Sequence, residues 1–204
     1  MGQVGVYPQS NQFSISNPTY SKEYFRPKGK WHLIVDKFTL QSATSMTANR
    51  LYFMPFVLQR RTLISGIGFR VSTGVAGARV YWGLYEDNGF GYPGSILESG
   101  DVAATANRNY LDAFSRILEP GLYWVATGSN LTPGVRRIDV TENINCLGCN
   151  SFTSGGTDGD LIRMLYVDLA NISLGIPDPA PAGLVEDIST GYYWGTYLYF
   201  EDYP

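Results

Sequence analysis

Apolar and polar positions alternate with a period of two in several separate runs of this chain, the pattern of strands that bury one face. In residues 67–72, Ile67, Phe69 and Val71 alternate with Gly68, Arg70 and Ser72. In residues 79–84, Val80, Trp82 and Leu84 alternate with Arg79, Tyr81 and Gly83. Residues 31–35 and 51–58 are continuous apolar runs that also read as strands. Pro55 places the second at a sheet edge or bulge, because proline cannot donate to a ladder. Residues 73–78 predict a hairpin between the two alternating runs. Residues 86–95, with Asn-Gly and Pro-Gly, predict a turn-rich loop, and Glu119, Pro120 and Gly121 a tight turn feeding a further strand.

Only residues 109–118 bring helix into question. Leu111, Phe114 and Leu118 fall at i, i+3 and i+7, while Ala113, Ser115 and Ile117 share the face of a strand; periodicity leaves both open. Residues 191–200 are rich in Tyr and Trp and read as a closing strand. Trp82 with Val80 and Leu84, Trp124 with Leu122 and Ala126, and Phe69 are expected between two sheets as the core.

Composition sharpens the class. The 204 residues are 44% hydrophobic and 16% charged, against a usual charged share of about 25%, which excludes a disordered chain. Fifteen Tyr, ten Phe, 23 Gly and 11 Pro favour pleated surfaces joined by many turns. A net charge of −3 offers no basic excess for a phosphate backbone, so nucleic acid is not expected as a partner. No run approaches the roughly 18 apolar residues of a membrane helix, so membrane insertion is not expected. Residues 1–12 carry neither Lys nor Arg nor an apolar core, so no signal peptide is expected and synthesis in a cytoplasm is.

Residues 1–30 differ from the rest. They hold three prolines, many Ser, Asn and Gln, and aromatics spread out at Tyr7, Phe13, Tyr20, Tyr24 and Phe25, without a period of 2 or 3.6. Such a segment cannot bury itself, and its aromatics need another surface. The expectation is an extended attachment arm over 1–30 followed by one sandwich over 31–204.

Few residues suggest chemistry. Cys146 and Cys149 form a lone CxxC in loop-like sequence, short of the four ligands of a structural zinc site. His32 is the only histidine, and no G-x-S-x-G elbow accompanies it. Most acidic residues are expected in turns (Glu86, Asp87, Asp158, Asp160, Asp178, Glu186, Asp187, Glu201, Asp202), where carboxylates cap or solvate, although two carboxylates would be enough for a glycosidase. Residues 86–89 and 157–160 match only part of a calcium loop. Asn130 and Asn171 match the glycosylation pattern, which recurs by chance. No metal, cofactor or catalytic residue is therefore expected. Phe90 and Tyr92 on a glycine-rich loop, and Tyr193 and Tyr197 in the aromatic tail, are candidate contacts for a ligand or a neighbouring chain.

Four motifs then carry a resemblance: Ala48-Asn-Arg-Leu-Tyr-Phe-Met-Pro-Phe, Ile67-Gly-Phe-Arg-Val-Ser-Thr, Gly83-Leu-Tyr-Glu-Asp-Asn-Gly with Tyr92-Pro-Gly-Ser, and Leu118-Glu-Pro-Gly-Leu-Tyr-Trp-Val-Ala. In this order they resemble a β-sandwich domain of bacteriophage tail-fibre and other virion structural proteins, over about residues 30–130. The resemblance implies an all-β, antiparallel, jelly-roll-like sandwich in a non-enzymatic virion protein of tail-fibre or head-fibre type. Its partners would be other virion proteins (capsid, portal or tail), a host surface glycan or protein, and two further copies in a homotrimer. A capsid decoration protein, and a carbohydrate-binding module or glycosidase, are the alternatives.

Overall fold

The computed structural model describes residues 29–33, 39–139, 164–187 and 192–201. Two antiparallel sheets make an all-β sandwich. The seven-stranded sheet holds β1 (Lys30–Leu33), β2 (Thr39–Ser45), β4 (Thr62–Thr73), β7 (Arg108–Leu118), β9 (Gly134–Asp139), β12 (Tyr192–Trp194) and β13 (Thr196–Glu201). The six-stranded sheet runs in the order β11 (Val185–Asp187), β10 (Met164–Asp168), β3 (Arg50–Leu58), β8 (Gly121–Ser129), β5 (Arg79–Asp87) and β6 (Pro93–Ala103). The only helical piece among the described residues is a single 3-10 turn, Ile172–Leu174, and no described helix is long and apolar enough to cross a membrane.

The alternating runs behave as their spacing dictates. Ile67, Phe69 and Val71 of β4 and Val80, Trp82 and Leu84 of β5 are buried between the sheets. Met54, Phe56, Val125, Trp194, Leu198 and Phe200 complete much of that inner core. Residues 108–118 form a strand, paired with β4 from Thr62↔Leu118 to Val71↔Arg108. The helical spacing of Leu111, Phe114 and Leu118 is thus a coincidence: Leu111 faces outward and is 61% exposed, while Phe114 packs on Trp82 at 5.0 Å between ring centroids. Ala113, Ser115 and Ile117 do share the outer face, as the strand reading has it.

Residues 73–78 do not form a hairpin. β4 pairs with β7, β13 and β9, and β5 with β6 and β8, so the connection crosses from one sheet to the other. Alternation tells which face of a strand is buried, not which strand lies beside it. Pro55 fits its place in β3. The β3–β8 ladder runs on to Leu58, but β10 opposes β3 only from Arg50 to Phe53, so the missing N–H falls beyond that register.

Trp124 is fully buried, but not between the sheets. It lies on the opposite face of the six-stranded sheet, in a second core with Leu51, Phe53, Tyr81, Tyr85, Ala126, Leu165 and Ile172. Its neighbour Val125 faces the inner core. The roof of this outer core is the segment 169–184, which contributes Leu169, Ile172, Ile176, Ala180 and Leu184. A sheet buried on both faces needs apolar residues at consecutive positions, which is why residues 51–58 read as a continuous run rather than an alternating one.

The motif around Asn49 docks this roof. Asn49 adopts a left-handed backbone (φ 59°), which asparagine tolerates. Its carbonyl accepts the N–H of Leu169 (2.8 Å), and its Oδ1 accepts that of Ile172 (3.2 Å). Arg50 grips Asp168 with two hydrogen bonds (2.6 and 2.9 Å) and lies 4.2 Å over the Tyr166 ring. At the other end the Tyr85 hydroxyl donates to the Pro177 carbonyl, and Asp178 Oδ1 accepts the Ile96 N–H (3.0 Å).

Candidate functional site

The outer face of the seven-stranded sheet has no such roof among the described residues. Because Ile67 and Phe69 point inward, β4 turns Gly66, Gly68 and Arg70 outward. β7 likewise turns Asn109 and Leu111 outward beside them, opposite Arg70 and Gly68. Glycine at two outward positions leaves the sheet bare, and Trp31 of β1 fills part of the space. An ideal Cβ on Gly66 would stand 3.0 Å from the indole Cη2. One on Gly68 would stand 2.9 Å from Leu111 Cδ2 and 3.3 Å from the indole Cζ3. The indole reaches this floor because β1 pairs with β13, with Trp31 opposite Tyr199 and the two rings 5.1 Å apart.

The sheet forks at this point. β4 pairs with β13 as far as Phe69↔Thr196, then with β9 from Val71↔Val135. Gly195, between β12 and β13, donates its N–H to the Arg136 carbonyl (2.9 Å). A Cβ there would lie 2.7 Å from that oxygen, so the close approach requires glycine. Arg70 and Arg136 flank the fork. The result is a groove of about 410 Å³ with Trp31, Arg70, Asn109, Leu111, Arg136 and Tyr197 around it and the backbone of Gly68 and Phe69 as its floor. That volume lies within the range of about 300–1,000 Å³ usual for small-molecule sites.

The electrostatics are one-sided. Two guanidinium groups line the groove, and no described lining residue carries a carboxylate. Neither Arg70 nor Arg136 makes an ion pair with a described residue, whereas Arg50, Arg61, Arg79 and Arg116 hold Asp168, Glu119, Asp101 and Glu98. Burial pushes the Tyr197 phenol above its ordinary range, and the Arg136 cation pulls the other way. At neutral pH the phenol is protonated and able to donate. Two cations, an apolar indole, an amide and a phenol make an arrangement suited to holding an anionic ring compound.

The structure separates the residues singled out in the sequence. Of the candidate contacts, Tyr197 lines the groove. Phe90 and Tyr92 are 86% and 43% exposed on the β5–β6 loop, away from it. The loop is held by Asp87, whose Oδ1 accepts the N–H groups of Gly89 (2.7 Å) and Gly91 (3.3 Å) and whose Oδ2 accepts the Trp124 indole N–H (3.1 Å). That leaves this carboxylate capping a turn, and Asp112 likewise accepts the Trp82 indole N–H (2.9 Å). Asn130 is bonded to Arg79 and Gly77, and Asn171 caps the 3-10 turn.

His32 lies on β1 opposite Leu198; its side chain, and that of Tyr193, are outside the described residues. So are Tyr7, Phe13, Tyr20, Tyr24, Phe25, Cys146, Cys149, Asp158 and Asp160. Trp31, Arg70, Asn109, Leu111 and Arg136 were not legible as a site, since they come from four strands. The one signal was glycine at Gly68 in an alternating strand, an outward position with no side chain to cover it.

No protein-family model matches the chain, and no curated protein matches it.

Proposed function

We propose that this chain is a non-enzymatic structural protein of a bacteriophage particle, of tail-fibre or head-fibre type, held through residues 1–28 and presenting the sandwich and its groove to the host surface. The observation that carries this reading is the position of β1. Among the described residues it pairs only with β13, so Gly29 and Lys30 stand at a sheet edge, on the strand whose Trp31 lines the groove. The motif residues support it from another side. Asn49, Arg50, Tyr85 and Asp87 fasten the roof and the β5–β6 loop, so these motif residues serve the architecture of the domain.

Attachment through spread aromatics would contribute about 1.5–3 kcal/mol for each one buried, before ordering costs. The test is deletion of residues 1–28. The shortened chain should fold and fail to incorporate into particles, and normal incorporation would sink the proposal. Antibody labelling of purified particles separates a fibre from the alternative of a capsid decoration protein. Light scattering of the isolated chain addresses a homotrimer, the closed symmetry that would protect an exposed aromatic edge.

A further inference from the structure

We infer that the groove between Trp31, Leu111, Arg70 and Arg136 is a binding site for an acidic saccharide, with the sugar's carboxylate held by the two arginines and its apolar ring face against the indole. This rests on the reading of the chain as a surface-presenting protein only for the origin of the sugar; the chemistry stands on the groove.

Charge complementarity identifies the anion. Four arginines elsewhere on the sandwich are neutralised by a carboxylate, while these two line one cavity with no carboxylate partner among the described residues. Arginine presents a planar fork of donors that matches a carboxylate, and charge-assisted bonds of this kind are the strong ones. The remaining lining identifies the ring. Trp31 is 39% exposed and Leu111 61%, so the groove offers an apolar surface, with Asn109 and Tyr197 as polar residues on the same cavity. A small inorganic anion would leave the indole and Leu111 unused. A pyranose with a carboxylate has one face of C–H groups for the indole, hydroxyls for the amide and phenol, and a charge for the arginines. Gly68 sets the depth, because any side chain there would meet both Leu111 and the indole.

The experiment measures binding of the full chain by calorimetry and saturation-transfer NMR to trigalacturonate and sialyllactose, against their neutral counterparts, the methyl-esterified trisaccharide and lactose. At least one acid should bind ten times or more tightly than its counterpart, and its affinity should fall with added salt. Arg70→Ala and Arg136→Ala should each weaken it about tenfold or more. Arg61→Ala, which removes a positive charge outside the groove, should change it less than about twofold. The inference is overturned if no acid outbinds its neutral partner, if inorganic phosphate competes as well as the sugar, or if both groove arginine variants bind normally. Particle incorporation is scored separately. Lost binding with normal incorporation of the full chain removes the saccharide and leaves the virion proposal standing, while retained binding in a chain that enters no particle does the reverse.

Discussion

The two outer faces of the sandwich start from the same kind of strand and end differently. The six-stranded sheet carries Leu51, Phe53, Tyr85 and Trp124 outward, and the segment 169–184 closes over them. The seven-stranded sheet carries Gly66, Gly68, Arg70 and Leu111 outward, and Trp31 covers only part of them. Large apolar side chains on an outer face demand a roof, since exposed they would make a sticky patch. Two glycines and two arginines make no such demand. One face became a second core, and the other, among the described residues, stayed open.

The strongest test of that contrast is truncation at the two core tryptophans. Trp124→Ala should cost about 3–5 kcal/mol, as much as Trp82→Ala in the inner core; a denaturant midpoint for Trp124→Ala close to that of the parent would show that the roof is not a true core. Ile172→Ala, which removes a buried side chain from the roof alone, should cost about 2–4 kcal/mol by the same measurement.

On the open face, Gly68→Ala should destabilise by about 1–3 kcal/mol, because the methyl must displace Leu111 and Trp31. It should also weaken saccharide binding, which joins the floor of the groove to its function. The groove arginines should behave in the opposite way: Arg70→Ala and Arg136→Ala should leave thermal stability within about 0.5 kcal/mol while losing binding.

The roof also predicts a pH response. Burial, with Asp178 adding its charge, raises the Tyr85 phenol above its ordinary value of 10.0. A phenol whose folded pKa is raised gives stability that is complete below the unfolded pKa and is lost as pH climbs from there through the folded one. Melting temperatures should therefore fall above about pH 10, and less steeply in Tyr85→Phe. That variant should lose about 1 kcal/mol at neutral pH through the Pro177 hydrogen bond.

A small effect is expected at Arg50 and Asp168. The Arg50 hydrogen bonds lower the Asp168 pKa, so its contribution is present above the unfolded carboxyl pKa and fades as pH falls through the folded one. With Asp168 largely exposed, the pair is worth about 1 kcal/mol or less. A loss above 2 kcal/mol in Arg50→Ala would mean that the roof depends on this clamp more than on its apolar contacts.

The amino-acid sequence by itself determined the class and the local pieces. Alternation marked Ile67, Phe69, Val71, Val80, Trp82 and Leu84 as buried, because a period of two fixes which side chains share a face. Turn residues placed the breaks near Asn88–Gly89 and Pro120–Gly121, because their backbone preferences are local. The continuous run from Leu51 to Leu58 was legible as a strand, while the burial of its sheet on both sides came from the structure. Tertiary structure alone decided the rest. Whether residues 73–78 make a hairpin or a crossing, which face of β8 carries Trp124, and what covers it all depend on partners distant in the chain. The groove is the extreme case: Trp31, Arg70, Leu111 and Arg136 sit on four different strands, and the pairing of β1 with β13, of β7 with β4, and the fork at Gly195 together bring them around one cavity. Spacing along a chain carries no information about such a meeting, because side chains meet through the pairing of strands.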